Sequence, residues 1–295
     1  MTSISIWRLA LVFMATFVTT AAPAFSSPSE AKSLCSKSET LTVQLPDPAS
    51  SRRYEIYISL PADYLERRER SYPLLVIADG GRAFPKLSCD ARLLAENSQV
   101  EEAVVVGLSY ALGEALEDSR RRDYTPVKLP GSGRIYGGAA AYQNYLREVV
   151  LRYVEGRYRI ASGRRIFWGH SYGGLLGAHI LLTEPSLFQT YILGSPSFWF
   201  ADEAIYRLED DYAKRRHQLN AHVLFYVGGL ETSRHDPARK GKTNDMVAGM
   251  QKFQSRLRSR GYEGLNMSSK VIEGTDHISA VRPGFMWGLQ ATLGN

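Results

Sequence analysis

Apolar and polar positions follow two distinct rhythms along the chain. Over residues 53–60, Tyr54, Ile56 and Ile58 alternate with Glu55, Tyr57 and Ser59, the period-two pattern of a half-buried strand. Residues 40–45 are also strand-like, and Pro46-Asp47-Pro48 with Ser50-Ser51 marks a turn between the two runs, so the opening predicts an antiparallel hairpin. Further on, continuous apolar runs replace alternation. Residues 73–78, 103–108, 165–168, 190–193, 222–227 and 268–272 read as buried strands. Helical stretches separate them at about 90–97, 139–158, from Ser171 to just before Pro185, and at about 244–260. Buried strands alternating with helices imply parallel strands covered on both faces. The expected architecture is therefore α/β: a mostly parallel sheet of about eight strands, the first two antiparallel, with helices on both faces. Residues 108–138 are polar and rich in Gly and Pro, and read as a surface excursion over an active site.

The first residues have a different purpose. Arg8 precedes the apolar run Leu9 to Val18, and small residues follow to Ala22-Pro23-Ala24. A positive start, a short apolar stretch and an A-x-A-like end describe a secretory signal peptide. The run is about half the roughly 20 residues needed to span a bilayer. Residues 1–24 are accordingly expected to be removed, leaving 25–295 as one domain in the periplasm or outside the cell. Of the 295 residues, 44% are hydrophobic and 22% charged, which argues against disorder or a fibrous repeat. Export would place Cys35 and Cys89 in an oxidising compartment, where a pair favours a disulfide. Two cysteines without a His-x-x-His spacing make no zinc site. The net charge of +6 favours anionic small-molecule partners. The basic residues lie scattered or in short runs such as Arg120-Arg121-Arg122, read as a solvated loop, and no nucleic-acid-reading motif or stable membrane anchor accompanies them.

The chemistry concentrates at Gly169-His170-Ser171-Tyr172-Gly173. This is G-x-S-x-G between a buried strand and a helix, the setting of a nucleophile elbow in an α/β-hydrolase fold. A base should follow the last strand, and His277 fits, in the loop Glu273-Gly274-Thr275-Asp276-His277. The acid should follow the preceding strand. Glu231 is the first choice and Asp236 the second; Asp276 is too close to His277 in sequence, and a Ser171–His277 dyad is the remaining arrangement. The oxyanion hole is expected from the backbone amide of Tyr172 and that of Gly81 or Arg82, in the loop after the third strand.

These residues carry a resemblance. The chain resembles the putative-esterase branch of the α/β hydrolases, which includes esterase D-like proteins and the enterobactin and salmochelin siderophore esterases. The matching pieces run from Tyr57-Ile58-Ser59-Leu60-Pro61 through Arg122-Asp123-Tyr124-Thr125-Pro126 and the elbow. They continue through Ser195-Pro196-Ser197-Phe198-Trp199 to Gly274-Thr275-Asp276-His277. The resemblance implies an exported serine esterase without metal or organic cofactor, acting on a catecholate lactone or another small ester. It also implies that Arg122 and Trp199 border the pocket. A thioesterase or acyltransferase would use the same residues, and a ligand-binding homologue would keep the scaffold without turnover.

Overall fold

The computed structural model describes residues 40–235 and 244–294. Eight strands form one sheet in the order β1-β2-β4-β3-β5-β6-β7-β8. Strand β1 (Leu41–Pro46) pairs antiparallel with β2 (Arg53–Ser59), and β2 pairs antiparallel with β4 (Val104–Leu108). From β4 onward every pairing is parallel, through β3 (Tyr72–Ile77), β5 (Ile160–His170), β6 (Thr190–Gly194), β7 (Gln218–Gly228) and β8 (Glu263–Ile272). The hairpin and the parallel core are those the apolar pattern predicts, and the fold is that of an α/β hydrolase.

Strand β3 shows why its sequence is uninterrupted apolar. Leu74 and Val76 enter the core on one face of the sheet, while Leu75 and Ile77 enter the core on the other. Both faces are covered, so alternation has no polar side to show. The second face holds α1 (Gly80–Glu96) and α8 (Val281–Leu293), through Phe84, Leu87, Leu94, Phe285 and Leu289. The first face holds the rest. α2 (Leu116–Tyr124) comes first, then α3 (Ala139–Tyr145), which runs through a π-helical turn at Leu146–Leu151 into α4 (Arg152–Arg157). α5 (Tyr172–Thr183), α6 (Phe200–Ala213) and α7 (Met246–Arg260) complete it.

Several elements depart from expectation, three of them for reasons visible in their residues. Helix α1 begins ten residues before the expected 90, because Gly80, Gly81 and Pro85 in its first turns are all poor helix formers and mask the periodicity. Helix α6 has no counterpart in the sequence reading; Glu209 lies fully buried on its core-facing stripe and interrupts the apolar spacing between Ile205 and Tyr212. The excursion at 108–138 contains α2, so the Arg120-Arg121-Arg122 run is helical and largely buried rather than a solvated loop.

Close packing around Tyr226 of β7 leaves no room for neighbouring side chains. A Cβ at Gly194 would lie 2.0 Å from this ring, and one at Gly284 2.2 Å away. Cys89, on α1, is disulfide-bonded. Cys35, the other cysteine, and the leader at 1–24 lie outside the described residues.

Candidate active site

In an open parallel sheet, functional loops gather at the carboxyl ends of the strands. Here the loops after β3, β5, β6, β7 and β8 supply Asp79, Ser171, Ser195 with Ser197, Glu231 and His277 respectively. The strand order β5-β6-β7-β8 makes the last four neighbours.

Strand β5 ends at His170 and α5 starts at Tyr172, so Ser171 alone makes the reversal, at φ 59° and ψ −118°. A non-glycine residue in such a region costs about 1–3 kcal/mol, and the surroundings must impose it. They do: a Cβ at Gly169 would lie 2.3 Å from the Gly173 carbonyl oxygen, and the Ser171 amide donates to the Gly194 carbonyl at 2.8 Å. The turn presents Ser171 at the N-terminus of α5, where the first amides have no partner within the helix and favour negative charge.

His277 follows β8 and faces Glu231, whose Oε2 lies 2.6 Å from the imidazole Nδ1. An ionised carboxylate only accepts, so Nδ1 carries the proton and Nε2 is left to accept another. Glu231 is 1% exposed. Its second oxygen, Oε1, accepts from the Ser195 hydroxyl at 2.6 Å and the Gly228 amide at 3.0 Å. Burial works against ionisation, but the hydrogen bonds from His277 and Ser195, the charge of His277 and the Gly228 amide outweigh it and hold the carboxyl below the usual range. Asp276 turns back on its own loop, accepting from the amides of Ile278 and Ser279. Asp236 lies outside the described residues.

Beneath His277 lies His170, with ring centroids 4.6 Å apart and its Nδ1 3.2 Å from the Tyr226 hydroxyl. Burial, with the neighbouring His277, pushes His170 down to about 3, so it stays neutral and serves as an uncharged floor.

The loop after β3 starts with Asp79 in the left-handed region, at φ 58°. The amides of Arg82 and Ala83 donate to the Asp79 carbonyl at 2.9 and 3.0 Å. The Arg82 amide is thus engaged within the turn, and no such contact engages the Gly81 amide. Arg120 ties the loop to the elbow: Nε and Nη2 clamp the Asp79 carboxylate at 2.7 and 2.9 Å, and Nη2 also donates to the His170 carbonyl at 3.2 Å. Tyr110 donates to the same carboxylate at 2.7 Å.

A cavity of 520 Å³ opens over these groups, lined among others by Ser171, His277, Arg82, Lys86, Arg120 and Arg282. Arg122 is not among its walls. Its guanidinium is taken up by Asp123 and Glu114, on the other side of α2. Residues two apart on a helix point about 200° away from each other, so of the basic run it is Arg120 that reaches the cavity. Trp199 packs against Tyr172, with ring centroids 6.3 Å apart. Sequence reasoning also missed Ser195 and Ser197; their sole signal was their place in the segment Ser195 to Trp199. Ser197 Oγ lies 3.3 Å from Ser171 Oγ. Among the described residues no group of three or more His, Cys, Asp or Glu side chains is placed to hold a metal ion.

Residues 48–288 match the sequence profile of the family described as "Putative esterase". The chain belongs to this esterase family. The esterase is 29% identical over 243 residues to the ferri-bacillibactin esterase BesA of Bacillus subtilis, an alignment covering 78% of this chain and 81% of that one. It is 30% identical over 169 residues to a siderophore enterobactin esterase of Emericella nidulans, covering 52% of this chain and 56% of the relative. In three dimensions it superposes on the siderophore hydrolase EstA of Aspergillus nidulans with a TM-score of 0.75, at 22% identity, covering 92% of this chain and 98% of that structure.

Proposed function

We propose that this chain is an exported serine esterase that opens siderophore-type ester bonds through an acyl-enzyme on Ser171. The observation that carries the reading is the convergence on one cavity of an elbow serine in a strained backbone and a histidine whose Nδ1 is held by a buried carboxylate. In the proposed cycle, Nε2 of His277 takes the Ser171 proton as the hydroxyl oxygen attacks the ester carbonyl. The amides of Tyr172 and Gly81 hold the oxyanion, each donor worth about 3 kcal/mol in comparable sites. His277 then protonates the leaving alcohol, and a water activated by the same nitrogen releases the acid.

Siderophore esters are proposed because BesA and the Emericella relative carry that activity in their names. The cavity wall agrees with an anionic substrate through the exposed Lys86, while Arg82 and Arg282 line it paired with Glu117 and Asp90. Export rests on the leader-like segment at 1–24, and no helix among the described residues is long and apolar enough to cross a membrane. Turnover of catecholate trilactones, short-chain aryl esters and acetylated sugars by the wild type and Ser171→Ala tests the proposal, with fluorophosphonate labelling in parallel. Trilactone hydrolysis and labelling that both vanish in Ser171→Ala are expected. Labelling or turnover that persists in the variant refutes the nucleophile, and activity confined to acetylated sugars refutes the substrate class.

A further inference from the structure

Strand β6 lies between β5 and β7, so the loop that leaves it passes between the nucleophile loop and the acid loop. That loop, Ser195-Pro196-Ser197, touches both. The Ser197 amide donates to the Ser171 carbonyl at 3.2 Å, and the two hydroxyl oxygens are 3.3 Å apart. Ser195 has no exposed surface; its amide donates to the Tyr226 carbonyl at 2.7 Å and its hydroxyl to Glu231 Oε1 at 2.6 Å. To do so it adopts φ 35°, a conformation that non-glycine residues avoid. A fully buried serine in a strained backbone, with its hydroxyl aimed at one carboxylate oxygen while the opposite oxygen grips His277, is a built contact.

We infer that Ser195 is a positioning residue, whose hydroxyl aligns Glu231 on His277 and shares the carboxylate's negative charge. The inference rests on the reading of Glu231 and His277 as the acid–base pair. Without the hydroxyl, Oε1 keeps only the Gly228 amide, and the less-solvated carboxylate binds the proton on its His277 side more tightly. The pair then protonates at a higher pH, and the acidic limb of kcat/KM moves up. The other groups facing the pair are neutral His170 below, Tyr226 of β7, Arg120 clamped on Asp79, and Asp276 in its own turn. They are common to every variant compared.

The experiment measures kcat/KM against pH for Ser195→Ala, Ser195→Gly, Ser197→Ala and Glu231→Gln with a chromogenic ester. Both Ser195 variants should raise the acidic limb by about 0.5–1 pH unit. Glycine relieves the strained φ and alanine does not, so equal shifts report the hydroxyl rather than the backbone. Ser197→Ala, which touches Ser171 and not Glu231, should leave the limb in place, and Glu231→Gln should lower it. Limbs that stay or fall in the Ser195 variants, a shift in only one of them, or an equal shift in Ser197→Ala overturns the inference while the Glu231→Gln shift leaves the acid assignment standing. An unmoved limb in Glu231→Gln overturns the acid assignment and this inference with it.

Discussion

Glu231 accepts from an imidazole on one oxygen and from a hydroxyl and an amide on the other, in a site that admits almost no water. In the proposed cycle, neutralising such a carboxylate removes the charge that would stabilise the imidazolium formed during attack. Glu231→Gln should lower turnover by about 10²–10⁴-fold, judged against comparable triads, and steady-state kinetics measures it. Asp276→Asn should leave turnover within a few-fold, since an amide oxygen can still accept from Ile278 and Ser279. Ser171, His277 and Glu231 were legible in the sequence because each follows a recognisable strand, and the order of strands dictates which loops meet. Arg120 and Ser195 were not legible. Choosing Arg120 over Arg122 needs the phase of a helix that the sequence reading took for a loop. The role of Ser195 depends on a backbone angle that composition does not record.

At the scale of elements, the strands announced themselves and several helices did not. The uninterrupted runs of β3 and β4 have no other reading than burial on both faces, whereas α1 and α6 carry glycine, proline or a buried charge where periodicity should be clearest. That charge also fastens two helices. Glu209 of α6 accepts from Arg256 and Arg260 of α7 at 2.8 and 2.9 Å and from the Tyr262 hydroxyl at 2.7 Å. Burial opposes its ionisation, but these partners prevail and hold it below the usual range. A carboxyl depressed on folding stabilises the native state above its unfolded value and loses that contribution as pH falls through the folded one. Glu209→Gln should therefore weaken the charged hydrogen bonds to Arg256, Arg260 and Tyr262 and cost about 1–3 kcal/mol at neutral pH. Thermal unfolding should show the gap to wild type narrowing as pH drops below 4.5, the ordinary glutamate value.

For the whole molecule, charge and covalent closure make separate predictions. If the exposed cations at the cavity mouth attract substrate through solvent, their effect is screened over about 10 Å at 0.1 M salt. KM for an anionic ester should rise several-fold from low salt to about 0.5 M, while KM for a neutral ester of the same leaving group stays flat. Lys86→Glu should reproduce the rise at low salt. A bridge from Cys89 to Cys35 would close a loop of roughly 54 residues, worth about 4 kcal/mol in the chain-entropy model. Mass spectrometry of the unreduced protein taken from its native compartment should recover the linked peptides, and two free thiols there would dispose of the bridge.

The packing around Tyr226 bears on how this protein can change over generations. Gly194 and Gly284 are empty of side chains because one ring occupies the space on both sides. Alanine at either position is forbidden while the ring is present, yet it becomes a cavity-filling substitution once the ring is gone. Mutations at 194, 226 and 284 should therefore show sign epistasis. In a pairwise mutational scan scored for folded yield, Gly284→Ala should be harmful in the wild type and beneficial beside Tyr226→Leu. A lineage that lost the tyrosine and then filled the gap could not regain the ring by a single step. The ring also carries the hydroxyl beside His170, so such a lineage would have rebuilt the floor of its active site before any catalytic residue changed.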